Sequence, residues 1–298
     1  MRSFLALLLL LPLSACAPTG SRGAGQNSGV GDDDDAVGDD DDAVGDDDDA
    51  TDAVNPFGEP IDCGTFATGT VTMDVDGLSR TMEVELPADP EGAPVLFAWH
   101  WLNGDATQTL DWMGIREMAD FGYVVVAPES AGAAFEWDVS DPSDANVDLA
   151  LFDAVLPCLW EQFAVDADRV YSTGMSAGGL MTTFLTMHRA EVLAATAPFS
   201  GGAELAYYSR PAEPIPVLVT WGGPSDSYGG YSFDSASRAF IDLLDEDGHF
   251  VVACEHTAGH LPPSEAVDML VSFLGDHRKG TASPWADGIP AGMPSWCE

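Results

Sequence analysis

Basic side chains are scarce: 10 Lys and Arg stand against 50 Asp and Glu in 298 residues, a formal charge of −40. Residues 53–298 alone hold 37 acidic and 8 basic residues, a formal −29, so the acidity is not confined to one segment. A nucleic-acid surface needs clustered cations, and this imbalance excludes nucleic acid as a partner. Long apolar runs are also missing. The run Phe4–Leu13 is about half of the roughly 20 residues that a permanent membrane span requires. Cysteine is sparse, at five residues. None sits in a Cys-x-x-Cys pair, and His256, two residues after Cys254, is poorly spaced for zinc. No metal and no cofactor is therefore expected.

The amino terminus, MRSFLALLLLLPLSACAPTG, has a positive residue, an apolar run and then small residues, the pattern of an export signal. Leu13-Ser14-Ala15-Cys16 resembles a bacterial lipobox, which implies that Cys16 is lipidated and that residues 1–16 are a lipoprotein signal peptide. By the same resemblance, Ala17 after the cysteine directs the chain to the outer membrane, on either face. The next segment, residues 17–56, repeats GDDDDAV from Gly31, a stretch with almost no apolar content and one sign of charge. Such a composition cannot bury a core and reads as a disordered, self-repelling spacer. Its tetra-aspartate clusters lack the glycine-turned loop of a calcium-binding repeat.

Beyond the spacer, residues 57–298 read as one catalytic domain. Cys63, Cys158, Cys254 and Cys297 are an even number in an exported chain, the condition under which two disulfides form, with three pairings possible. TGTVTMDVDGLSRTMEVELP alternates apolar and polar residues around Asp76-Gly77, an antiparallel hairpin. APVLFAWHW, GYVVVAPE, DRVYSTGMS, VLAATAPFSG, IPVLVTWGG and GHFVVACEH are near-continuous apolar runs, as in parallel strands covered on both faces. Helical spacing separates them at Thr109–Asp120, Asp144–Phe163, Ala177–Arg189, Ser232–Asp247 and Ser264–His277. The fold class is α/β: a doubly wound, mostly parallel sheet entered through an N-terminal antiparallel hairpin.

Ser176 falls at the carboxyl end of the strand RVYSTG, between Gly174 and Gly178. A sharp strand-to-helix turn exposes its hydroxyl and tolerates only tiny neighbours; an ordinary helix cap is the competing explanation. A serine hydroxyl needs an imidazole to take its proton and a carboxylate to orient that imidazole. Asp226 follows the strand IPVLVTW, and His260 follows the next strand in a Gly-containing turn long enough to reach back. His256 is the rival base, closer to its strand, and Glu255 and Asp234 are the rival acids. His188, His249 and His277 read as surface residues. An oxyanion hole would come from the Ala177 N–H and from Trp101 or Leu102, in the loop after VLFAW. Trp101, Trp137 and Tyr207 are candidates to line an open cleft and stack on substrate. Glu129 and Asp138 border it, and Trp99 is core or cleft. The short segment between APFSGG and PIPVLVT leaves little room for a large lid.

Residues 165–202, VDADRVYSTGMSAGGLMTTFLTMHRAEVLAATAPFSGG, resemble the nucleophile region of the polyhydroxybutyrate depolymerase and feruloyl esterase-like family of secreted α/β-hydrolases. PVLVTWGGPSD and AGHLPP are similar to its acid and histidine segments. The resemblance implies a serine hydrolase of carboxylic esters, possibly aromatic, polysaccharide-linked or polymeric, with Ser176, Asp226 and His260 at the triad positions. It departs from the pattern at His100-Trp101, where the family has His-Gly, and at Leu261-Pro262. A serine peptidase of the same fold and a non-catalytic, surface-tethered binding lipoprotein are the alternative functions.

Overall fold

The computed structural model describes residues 54–133 and 135–298. The signal peptide with its lipobox Cys16 lies outside the described residues, as does the aspartate-rich segment up to residue 53. Valine-rich and β-branched runs form the strands, and each element boundary has a local cause. Strands β1 (Gly69–Val75) and β2 (Leu78–Glu85) make the hairpin, turning at Asp76 and Gly77, both with positive φ. After β3 (Val95–Trp99) comes helix α1 (Ala106–Trp112), then β4 (Val124–Pro128) and α2 (Val147–Phe163). The centre is β5 (Val170–Met175), α3 (Ala177–His188), β6 (Ala195–Phe199) and β7 (Val217–Trp221). A two-residue pair, β8 (Ser227–Tyr228) and β9 (Tyr231–Ser232), precedes α4 (Phe233–Glu246), β10 (Val251–Glu255) and α5 (Ala266–Asp276).

The main sheet has eight strands in the order β1-β2-β4-β3-β5-β6-β7-β10, parallel from β4 to β10 and antiparallel at the β1–β2 edge. Alternate residues of β3 feed two cores. Val95, Phe97 and Trp99 pack with Phe152, Phe184 and Phe240 of α2, α3 and α4. Leu96 and Ala98 pack with Leu110, Leu270 and Phe273 of α1 and α5. Both faces being covered is why the strands read as unbroken apolar runs.

The helix expected over 109–120 divides. The Asp105 side chain accepts the Gln108 N–H and starts α1 early, Gly114 at φ 69° interrupts it, and a 3-10 turn carries on from Ile115 to Phe121. Cys63 bonds Cys158 and Cys254 bonds Cys297. Closing loops of 95 and 43 residues removes unfolded-state entropy worth about 4–5 kcal/mol per bridge. The second bridge holds the C-terminal tail along β10, where Ala253 and Glu298 exchange backbone hydrogen bonds.

His249 and His277, expected at the surface, are buried instead. Each sits at the end of an element whose backbone needs a side-chain partner: His249 meets the Ile215 backbone, and His277 Nδ1 donates to the Phe273 carbonyl while its Nε2 accepts from Ser283. Burial lowers the pKa of both below the usual value. On acidification the unfolded chain therefore takes up protons first, at about pH 6.5, while the carboxylates titrate some two units lower. This contribution to stability is complete above pH 6.5 and is lost as pH falls through that value toward the folded-state pKa values. Urea unfolding is expected to show a lower midpoint at pH 5.5 than at pH 7.5, with the difference reduced in His277→Gln. An unchanged midpoint would contradict the assignment.

Candidate active site

Ser176 stands between β5 and α3 with φ 58° and ψ −116°, a conformation that side chains other than hydrogen rarely adopt. The flanking glycines have a steric cause. A Cβ on Gly178 would lie 1.9 Å from the Trp99 carbonyl oxygen, and one on Gly174 would lie 2.6 Å from the Gly178 backbone. The turn is thus pressed onto the end of β3, which drives the serine side chain outward. Ser176 Oγ lies 2.9 Å from His260 Nε2, and His260 Nδ1 lies 2.7 Å from Asp226 Oδ1. Since the carboxylate only accepts, Nδ1 carries the proton and Nε2 is left to accept from the serine hydroxyl. Asp226 is fully buried, and its second oxygen accepts from Ser200 Oγ and from the Gly222 N–H, both at 2.8 Å. Burial opposes ionisation of Asp226, but hydrogen bonds from His260, Gly222 and Ser200 outweigh it and hold the carboxyl below its ordinary range. The acid and histidine loops interlock closely: a Cβ on Gly222 would fall 1.8 Å from the Gly259 carbonyl oxygen.

The loop after β3 is fixed by side chains acting on its carbonyls. Trp137 Nε1 donates to the His100 carbonyl at 2.9 Å. The Trp101 carbonyl accepts from the Gly104 N–H at 2.8 Å and from His100 Nδ1 at 2.9 Å. His100 Nε2 accepts the Ser130 N–H, which sets the imidazole tautomer with its proton on Nδ1. In a trans peptide the N–H points opposite to the carbonyl, so holding the carbonyls of residues 100 and 101 also fixes the directions of the Trp101 and Leu102 N–H groups. Glu136 supports the same loop, accepting from the Asn103 N–H and from Ser130 Oγ. Burial works against its charge, yet these hydrogen bonds keep it ionised to lower pH than usual.

No protein-family model matches the chain. A putative esterase NocK from Nocardia uniformis subsp. tsuyamanensis is 35% identical over 169 residues, covering 52% of this chain and 46% of that protein. An oxidized polyvinyl alcohol hydrolase from Pseudomonas sp is 25% identical, covering 69% and 75%, and feruloyl esterase D from Neurospora crassa is 27% identical, covering 51% and 56%. The chain thus spans less than half the length of the first of these. The crystal structure of native pOPH superposes with a TM-score of 0.68 at 20% identity over 80% of this chain and 96% of that one. The chain has the α/β-hydrolase fold. Its sequence likeness runs to the feruloyl esterase-like members of that fold.

Within this fold the remaining candidates divide clearly. Trp137 does not line an open cleft: it is 1% exposed, edge-on to Trp99 and bonded to the His100 carbonyl, so its ring packs under the loop after β3. Trp99 is core, its indole donating to Ser172. Trp101 is half-buried, and Tyr207 stands 74% exposed. His256 is buried, accepts the Ala258 N–H and packs edge-on against Trp296. Asp234 accepts from the Trp221 indole, and Glu255 pairs with Arg238. Glu129 accepts the Ala106 N–H, and Asp138 holds Asn146 at the start of α2. Among the described residues, no group of three His, Cys, Asp or Glu is placed to hold a metal ion. Ser200 and the aromatic cluster of Tyr228, Tyr231 and Phe233 were not anticipated. Ser200 sits at φ 45° before Gly201-Gly202, and that backbone signal is visible only once the neighbouring carbonyls are placed.

Proposed function

We propose that the chain hydrolyses carboxylic esters through an acyl-enzyme on Ser176. The observation that carries this reading is the continuous hydrogen-bonded line from Ser176 through His260 to buried Asp226. Ser176 Oγ attacks the ester carbonyl carbon and passes its proton to His260 Nε2, while Asp226 stabilises the imidazolium. The carbonyl oxygen takes up the negative charge within reach of the Ala177 N–H and that of Trp101 or Leu102. The intermediate collapses as His260 protonates the departing alkoxide, and a water molecule repeats the sequence to release the acid. The names of relatives that include a feruloyl esterase, an acetylxylan esterase and an oxidized polyvinyl alcohol hydrolase favour aromatic or polysaccharide-linked esters or a polymer, and the resemblance around Ser176 adds polyhydroxyalkanoate esters to that range. Turnover of p-nitrophenyl butyrate, methyl ferulate and acetylated sugars by the full chain tests the reading. Hydrolysis of at least the activated ester is expected, and rates no higher than buffer would overturn it.

The amino-terminal pattern supports an exported catalytic domain, residues 57–298, held off a bacterial outer membrane by the acidic spacer and a lipid on Cys16. Among the described residues no helix is long and apolar enough to cross a membrane. Cys16→Ser is expected to move the protein from the membrane pellet to the soluble fraction. Unchanged sedimentation with membranes would refute the anchor.

A further inference from the structure

We propose that the β8–β9 hairpin forms a subsite for the alcohol portion of the ester and takes an uncharged apolar or aromatic alcohol. The inference rests on the esterase reading above. The hairpin begins one residue after Asp226, turns through Gly229-Gly230 with positive φ at both, and pairs Tyr228 directly across from Tyr231. Tyr228 and Tyr231 are 58% and 37% exposed, so two cross-strand rings stand open to solvent beside the imidazole. The Tyr228 ring runs nearly parallel to the His260 imidazole, with centroids 5.8 Å apart. Tyr231 meets Phe233 edge-on at 4.9 Å, and Phe233 lies 4.5 Å from the same imidazole. Partial burial raises the Tyr231 phenol pKa, and Glu204 and Tyr207 act in the same direction.

The chemistry of the imidazole says which half of the substrate meets these rings. His260 Nε2 hands its proton to the departing alkoxide, so the alkoxide oxygen must come within hydrogen-bond reach of His260. The group attached to that oxygen then extends past the rings packed around the imidazole, whereas the carbonyl oxygen is held by the loop after β3. Charge narrows the alcohol further. Every arginine among the described residues is paired with a carboxylate, and Glu204 adds a negative charge to this rim. An anionic alcohol would find no free guanidinium there.

The test holds the acyl group constant and varies the alcohol: ethyl, 2-phenylethyl and carboxymethyl butyrate, with the full chain, Tyr231→Ala and Tyr231→Phe. The full chain is expected to favour 2-phenylethyl over ethyl butyrate by about tenfold in kcat/KM and to use the carboxymethyl ester worst. Tyr231→Ala should cut that preference below about threefold, and Tyr231→Phe should keep it, since stacking and not the hydroxyl carries the effect. All three esters give the same butyryl-enzyme, so the change belongs to acylation. A 2-phenylethyl preference that Tyr231→Ala leaves intact overturns the subsite. So does a variant whose loss instead follows an aromatic acyl group at fixed ethanol. Failure of the full chain to form any butyryl-enzyme on Ser176 overturns the esterase reading, and this inference with it.

Discussion

His260→Gln is expected to lower kcat/KM for p-nitrophenyl butyrate by about 10⁴-fold or more, the loss that follows deletion of a triad base. His256→Gln, one residue beyond the end of β10 and buried against Trp296, is expected to cost less than about tenfold. The two histidines are four residues apart, and only His260 has one ring nitrogen on Ser176 and the other on Asp226. Glutamine retains a hydrogen-bonding group of similar reach but cannot carry the proton from the serine to the alkoxide. Stopped-flow release of nitrophenol separates the steps, because loss of the base slows formation of the acyl-enzyme itself. Near-normal turnover by His260→Gln together with a large loss in His256→Gln would move the base, and would also displace Asp226 from its role, since Asp226 contacts only the former.

Ser176→Gly is expected to abolish hydrolysis, by about 10⁶-fold as when a serine nucleophile is removed, while making the fold no less stable and by about 1 kcal/mol more so. The backbone at φ 58° and ψ −116° is strained for serine and comfortable for glycine. Relief of roughly 1–3 kcal/mol is partly offset by the greater freedom that glycine gives the unfolded chain. The side chain itself contributes a single hydrogen bond, to His260. Thermal unfolding monitored by circular dichroism measures the result. A midpoint several degrees below the parent would mean that the turn is not strained and that the serine serves the fold. Gain of stability with total loss of activity is the pattern of strain held in place for function.

Much of this architecture is legible in the residues, for reasons that can be named. Strands covered on both faces have nowhere to put polar side chains, so VLFAW and VVVAP announce themselves. The glycines around Ser176 are enforced by a neighbouring carbonyl, which leaves a mark in their spacing that the downstream Asp226 and His260 then distinguish from an ordinary helix cap. Asp226 and His260 follow adjacent strands, β7 and β10, and the parallel pairing of those strands puts both loops at one end of the sheet. What stayed hidden depends on contacts distant in sequence. The burial of Trp137 is decided by the His100 carbonyl, 37 residues earlier, that needs its indole N–H. His249 and His277 look like surface residues until their backbone and side-chain partners are placed around them. Ser200 supports Asp226 across 26 residues and lies in a run, PFSGG, that by itself suggests only a turn. The boundary of α1 was displaced because the cap at Asp105 and the break at Gly114 outweigh the apolar spacing that continues past them.

The most direct measurement is the site of covalent capture. The full chain is treated with a fluorophosphonate, digested, and mapped by mass spectrometry, with Ser176→Ala and protein unfolded in urea as parallel samples. The account predicts one phosphonyl group per folded chain, on the peptide containing Ser176, and none in the variant or the unfolded protein, because only the folded line to His260 and Asp226 activates that hydroxyl. A folded chain that stays unlabelled, or that carries the adduct on another serine while Ser176→Ala labels equally well, would contradict it.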